Sequence, residues 1–163
     1  MSQNFQNFQN FQNFQDFREL LSVFNAQGVE HIVVGAHALA AHGYVRATKD
    51  LDIWVRPDAD NARRTLRALI EFGAPLGDVL EGDFAAPGLI FQIGVPPLRI
   101  DILTGIDGVE FPDAWRDRLK TFFAGEPVAV LSVHHLIATK KASGRLQDLA
   151  DVERLEAIAR GQD

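Results

Sequence analysis

The stretch Asp50-Leu51-Asp52-Ile53-Trp54-Val55 alternates polar and apolar residues as a half-buried strand does. Side chains on a strand alternate faces, so Asp50 and Asp52 share one side while Leu51, Ile53 and Val55 share the other. A second stretch, Leu98-Arg99-Ile100-Asp101-Ile102-Leu103, has the same texture. It predicts Leu98, Ile100 and Ile102 in a core, with Asp101 facing away beside Arg99. Upstream, Val33-Val34-Gly35 ends another strand just before a short helix. Three carboxylates on the exposed face of one sheet, Asp50, Asp52 and Asp101, repel one another, a cost that a divalent cation removes. Hard oxygen ligands of this kind suit Mg²⁺, which commonly arrives with the phosphates of a substrate.

The composition sets bounds on the rest. At 163 residues the chain has the length of one domain with a sizeable core. Its 47% hydrophobic and 23% charged residues are those of an ordinary soluble globular protein. The absence of cysteine excludes disulfides, thiolate metal sites and a cysteine nucleophile. No apolar run approaches a membrane span, and no basic segment followed by an apolar one marks a secretory signal. The expectation is a cytoplasmic protein without membrane partners. A net charge of −6 argues against a broad nucleic-acid surface, which needs clustered Lys and Arg. It leaves room for one nucleotide or for an RNA end.

The chain opens on a repeat. Asn4-Phe5-Gln6 recurs from Asn7, Asn10 and Asn13, and Asp16-Phe17-Arg18 is a decayed fifth copy. A period of three is too short for a solenoid unit. Residues 1–12 are read as a low-complexity extension of the following helix, with a self-associating tail as the rival reading. Residues 13–163 are read as a single domain. Phe14, Phe17, Leu20, Leu21 and Phe24 form one helical stripe that stops near Gly28. His31-Ile32-Val33-Val34 reads as a buried strand, and Ala36 to His42 as a helix closed by Gly43. Asp58 is a candidate cap for a helix through Phe72, with Leu66, Leu69 and Ile70 on its inner side. Gly73 to Gly88 reads as a surface loop. Leu89 to Gly94 and the strand holding Asp101 flank Val95-Pro96-Pro97 and suggest a hairpin. Val128 to Leu131 is a last strand, and Ser132 caps a helix to about Ala142. Ser143-Gly144 breaks that helix, and Leu146 to Ala159 forms another, with Leu149, Val152, Leu155 and Ile158 inward. The fold class expected is mixed α/β (α+β): a mixed central sheet flanked by helices, with a C-terminal helical pair.

These residues together resemble the DNA polymerase beta-like nucleotidyltransferase superfamily. Its signature is an apolar residue, Gly, then Gly or Ser, a spacer, Asp-x-Asp or Asp-x-Glu, and a third acid on a later strand. Here the matching positions are Val34-Gly35-Ala36, His37 to Lys49, Asp50-Leu51-Asp52, and Asp101. The chain is most similar to small bacterial nucleotidyltransferases of abortive-infection and toxin–antitoxin type. Leu136-Ile137-Ala138-Thr139-Lys140, Gly144-Arg145 and Asp148-Leu149-Ala150-Asp151 resemble their tail as well. The resemblance implies transfer of a nucleoside monophosphate from an NTP to a hydroxyl, with release of pyrophosphate. It implies two Mg²⁺ ions, or Mn²⁺ in their place, on Asp50, Asp52 and Asp101. It further implies phosphate binding by Gly35, Ala36 and Lys140, and a proton taken from the acceptor by Asp101. Ala36 departs from the pattern, because it lacks the hydroxyl that Ser would donate to a phosphate.

The physical reading agrees in outline. Backbone N–H groups at a helix start attract anions, and Gly35 lets a phosphate approach where a Cβ would obstruct it. Simpler readings stand beside the functional ones. Lys140 and Lys141 fit solvated helix positions. Arg145, Asp148 and Asp151 fit a surface ion-pair ladder. Arg46, Thr48 and Lys49 either contact substrate or temper the acidic strand. His37 and His42 do not share a helix face, which argues against a His-metal site. His134-His135 fits a helix start, and Arg63, Arg64 and Arg67 fit a solvated edge. Trp54 fits either base stacking or core packing. The acceptor stays open between an RNA end, a protein and a small molecule. The alternative to an enzyme is an inactive interaction protein of this fold, with a cognate toxin or antitoxin as partner.

On a helix a strict period of three drifts about 60° per repeat, so the Phe row spirals round the surface and cannot pack on one face. Deleting Ser2 to Gln12 is therefore expected to leave the melting temperature unchanged, with or without loss of an oligomer by light scattering. A large loss of stability in a chain that is monomeric before and after deletion would place the repeats in the core.

Overall fold

The computed structural model describes residues 15–48, 50–94 and 99–161. Phe14, Lys49, Leu98, the Pro96-Pro97 link and the Asn-Phe-Gln repeats lie outside the described residues. Helix α1 spans 15–26 and buries the expected stripe of Phe17, Leu20, Leu21 and Phe24. There follow β1 (His31–Val34), α2 (Gly35–Ala41), β2 (Asp50–Val55) and α3 (Ala59–Phe72). A 3-10 turn (Glu81–Ala85) leads to β3 (Ile90–Ile93) and β4 (Arg99–Leu103). The chain ends with α4 (Phe111–Arg116), β5 (Leu119–Phe123), β6 (Glu126–Val130), α5 (Val133–Ser143) and α6 (Leu146–Gly161).

The strands make one sheet in the order β3-β4-β2-β1-β6-β5. It is mixed: β2 runs parallel to β4 and β1 to β6, while β1/β2, β3/β4 and β5/β6 are antiparallel. The fold class is therefore the one expected, and the hairpin of β3 and β4 forms. The central strands β1, β2 and β4 carry Ile32, Val33, Leu51, Ile53, Ile100 and Ile102 into the core.

Local chemistry sets the element ends. Asp58 Oδ1 accepts from Asn61 N at 2.8 Å and starts α3. Buried Asn61 then reaches both strand ends, accepting from Glu30 N at 2.8 Å and donating to Glu30 O and Arg56 O at 3.0 Å. Ser132 Oγ accepts from His135 N at 3.2 Å and starts α5, as expected of a cap.

Three expectations are corrected. The loop between Gly73 and Gly88 is not wholly at the surface: its 3-10 turn sinks Phe84 into the core, edge-on to Phe91 at 5.9 Å. On α3 Leu69 faces inward as expected and Leu66 packs partly against the core beside Ala62, Thr65 and Ala68, but Ile70 is exposed. On α6 Leu149 is exposed and Asp151 is buried in its stead; Val152 and Leu155 do face inward. Helix α4 and strand β5 were not legible. The helix has six residues, and the β5–β6 loop is Ala124-Gly125, with φ of 55° and 86°. Two positive φ values match the primed hairpin turn, but Ala lacks the Asn-Gly or Asp-Gly signature that announces it. Trp54 takes the core alternative, edge-on to Phe111 at 5.0 Å.

Among the described residues no helix is long and apolar enough to cross a membrane. Gly108 presses on α5: a Cβ there would lie 2.6 Å from Ala142 Cβ. Gly125 has open space around it. Both have positive φ, 72° and 86°, so alanine at either costs about 1–2 kcal/mol of backbone strain. Gly108→Ala is expected to add about 1–3 kcal/mol of overpacking. Its melting temperature should fall well below that of Gly125→Ala, and equal falls would show that α5 yields freely.

Candidate active site

Strand register brings the acids together. The parallel pairing of β2 with β4 sets Asp52 opposite Asp101 and Asp50 opposite Arg99. Partners in register on adjacent strands share a sheet face, so the three carboxylates and Arg99 lie on one side. The antiparallel pairing of β1 with β2 sets Val34 opposite Asp52, which delivers Gly35 to the same place.

The contact between Gly35 and Asp52 is close. Gly35 has φ +69°, and a Cβ there would stand 2.2 Å from Asp52 Oδ2. Glycine is thus required twice, by its backbone conformation and by the carboxylate packed over its Cα. On the other side, Asp52 and Asp101 approach to hydrogen-bond distance. Burial, then the charge of Asp101, push the Asp52 carboxyl up to about 7.

One part of the expected arrangement is corrected. Asp101 does not stand in the open; the residue is 8% exposed. The period-two pattern gives its side of the sheet correctly but cannot tell that the side is covered. Arg99 ties the cluster: its Nη2 donates to Asp50 Oδ2 at 3.3 Å, and its Nε lies 3.2 Å from Asp101 Oδ1.

A cleft of about 320 Å³ opens beside this cluster. Gly35, Asp52 and Asp107 line it from the sheet and its loops, and Thr139, Lys140, Ser143, Arg145 and Asp148 line it from α5, α6 and the link between them. Lys140 is only 13% exposed in its side chain. Its Nζ donates to Asp148 Oδ1 at 3.2 Å and to Asp151 Oδ2 at 3.0 Å. Lys140 is therefore a fixed cation, not a solvated helix residue. Asp151, 2% exposed, also accepts from Tyr44 Oη at 3.0 Å and pairs with Arg46. Burial pushes the Asp151 carboxyl up, but the hydrogen bonds from Lys140 and Arg46 outweigh it and hold the group below the usual range. Asp148 balances in the same way, with burial overcome by Ser143, Lys140 and Arg145. The surface ladder expected of Arg145, Asp148 and Asp151 is thus half right: Arg145 Nε meets Asp148 at 3.0 Å, but Asp151 belongs to a buried network.

The other candidates are placed as follows. Ala36 is half-buried in the first turn of α2. Arg46 serves Asp151 and covers the Tyr44 ring at 4.9 Å, and Thr48 brackets the start of β2 through Asp50 N at 3.2 Å. His37 packs edge-on against Phe17 and Phe123, while His42 Nε2 donates to Leu131 O at 2.8 Å, so the two histidines are not brought together. Arg63 is exposed beside Asp60. Sequence reasoning missed Tyr44, Asp107 and Ser143. The available signal was the i,i+3 pair Asp148/Asp151 following a helix that ends in two lysines.

Among the described residues, no three His, Asp or Glu side chains stand ready-spaced around a metal position. The chemistry of the donor set still fits a divalent cation. Two carboxylates at hydrogen-bond distance, one of them held protonated to about pH 7, form a site that added positive charge would relieve.

The sequence from residue 11 to residue 160 matches the family described as nucleotidyltransferase of unknown function (DUF6036). The chain belongs to this nucleotidyltransferase family. No curated protein matches it significantly. A crystal structure of a candidate nucleotidyltransferase from Thermotoga maritima is similar in fold, with TM-score 0.54 and 16% identity over 90% of this chain and 89% of that one. So is the solution structure of the antibiotic-resistance factor ANT(2'')-Ia, with TM-score 0.53 and 15% identity over 93% of each chain. At these identities the likeness is one of fold.

The family member's own titration offers a test. Asp52 has its folded value raised from 3.8 to about 7, so between these pH values the folded state holds a proton that the unfolded state has lost. Its stabilising contribution is full below 3.8 and disappears as pH rises through about 7. Burial pushes His31 and His37 below 6.5, which gives the opposite slope. The melting-temperature difference between wild type and Asp52→Asn isolates the aspartate. In chelator, the advantage of wild type over the variant should shrink steadily from pH 4 to pH 8. A constant difference would remove the buried carboxyl pair from the account.

Proposed function

We propose that this chain transfers a nucleoside monophosphate from an NTP to a hydroxyl acceptor. The observation that supports this most is the opposition across one cleft: Asp52, backed by Asp101 and seated on Gly35, faces a wall carrying Lys140 and Arg145. An acidic wall suits cations and an acceptor proton. A wall with two cations against the one carboxylate of Asp148 suits phosphates.

In this reading Asp50, Asp52 and Asp101 hold the divalent cation, Mg²⁺ or Mn²⁺, as one ion or two. When bound, such an ion neutralises phosphate charge and lowers the pKa of the acceptor hydroxyl. Lys140, fixed by Asp148 and Asp151, presents its ammonium to the β- and γ-phosphates without having to be ordered on binding. Gly35 and Ala36 offer backbone contacts to phosphate. The acceptor oxygen attacks the α-phosphorus, the bond to pyrophosphate breaks, and the acceptor proton passes to the Asp52–Asp101 pair. Asp52 is the member that reaches the cleft.

A second reading is favoured by Ala36, which lacks a hydroxyl: the fold serves protein contact, as one component of a toxin–antitoxin pair. Incubation with α-labelled NTPs, Mg²⁺ or Mn²⁺, and separate RNA, protein and small-molecule fractions distinguishes the two. Wild type is expected to label one fraction. Asp52→Asn and Asp101→Asn should lose about 10²-fold or more, the scale of a lost acid–base group. Equal labelling by wild type and both variants would sink the site assignment. No labelling, with no melting shift by Mg-NTP, would leave the contact reading.

A further inference from the structure

The carboxylate cluster already has a cation beside it. Arg99 stands opposite Asp50 in register and two residues before Asp101, so strand geometry alone aims its side chain at both acids. We propose that Arg99 is a resident counter-ion that a divalent cation must displace, so that it weakens metal binding to the empty site. This rests on the reading that Asp50, Asp52 and Asp101 hold such a cation.

Three observations carry it. First, both contacts are loose for a guanidinium. The bond to Asp50 is 3.3 Å long, and the Nε–Asp101 approach of 3.2 Å lies within ion-pair distance but lacks hydrogen-bond geometry. Well-made charge-assisted bonds are shorter, about 2.7–2.9 Å, and Arg commonly binds one carboxylate with two parallel bonds. Here the fork is divided between two residues, in the manner of a shared charge. Second, the site needs that charge. Asp50, Asp52 and Asp101 share one face of the sheet, and Arg99 reaches two of them. Third, the guanidinium has somewhere to go, because the Arg99 side chain is 32% exposed whereas that of Asp101 is 11% exposed. A small doubly charged ion could supply the neutralisation from within the cluster, leaving Arg99 free to turn toward solvent.

The alternative is that Arg99 orients Asp101 and so assists metal binding. The two ideas predict opposite signs. Mn²⁺ affinity is measured by calorimetry and by the free-ion electron paramagnetic resonance signal, without nucleotide, on the full chain. Wild type, Arg99→Gln, Arg99→Lys and Asp52→Asn are compared, each checked for folding by circular dichroism. Displacement predicts that Arg99→Gln binds Mn²⁺ about tenfold more tightly or better, since a competing unit charge a few ångströms away is removed. Arg99→Lys keeps the charge but cannot span both acids, and should fall between the two. In chelator Arg99→Gln should melt below wild type, and Mn²⁺ should raise it more.

Equal or weaker Mn²⁺ binding by folded Arg99→Gln overturns the proposal while leaving the metal site intact, provided Asp52→Asn has lost Mn²⁺. Should Arg99→Gln fail to fold, Arg99→Lys decides: affinity no higher than wild type overturns the displacement. Absence of Mn²⁺ binding in every variant, or undiminished binding by Asp52→Asn, overturns the metal reading and this inference with it.

Discussion

Asp52 can be where it is only because residue 35 has no side chain. A carboxyl oxygen occupies the place where a Cβ would sit, 2.2 Å from it, at a backbone φ that also favours glycine. That single contact links the sheet to the site. It requires β1 and β2 to pair antiparallel with Val34 opposite Asp52, and β2 and β4 to pair parallel with Asp52 opposite Asp101. A slip of one residue in either pairing would turn the acids to the other face and drive Leu51 or Ile100 into the cleft. The core residues on those strands therefore hold the register that the acids need.

The acidic half of the site was legible because strand chemistry is local. Alternation in Asp50 to Val55 and in Arg99 to Leu103 predicts which side chains share a face, and the structure agrees. What alternation cannot report is cover. Asp101 was expected in the open and is buried. The same limit applies to α6. Its apolar residues suggest a stripe through Leu149, yet the buried face runs through Asp151, since Tyr44 and Arg46 wait there from one segment and Lys140 from another. A buried charge looks like a surface charge until its partners are known. Strand β5 escaped for another reason: its turn, Ala124-Gly125, takes a shape that Asn or Asp would have announced.

The basic wall depends on that buried network. Lys140 shares its ammonium between Asp148 and Asp151 and has little conformational freedom left. Buried ion pairs contribute little net stability, because desolvation offsets much of the attraction. Their usual gain is orientation. Here the network joins the segment before β2, the last turn of α5 and the first turns of α6. The wall that carries Lys140 is thereby tied to the strand that carries Asp50 and Asp52. Tyr44 and Arg46 meet Asp151 at that join.

This arrangement bears on whether the protein is an enzyme or a scaffold that has lost its chemistry. A fold retained only for contact gains nothing from crowding acids. Half-buried Asp52 beside buried Asp101 raises the free energy of the folded state wherever both are ionised. Local features that cost stability persist chiefly where function needs them. Ala36 argues the other way, but weakly by comparison, since it removes one hydroxyl and leaves every backbone donor. The crowding of Asp50, Asp52 and Asp101 on one face, held together by a single shared guanidinium, is the heavier observation.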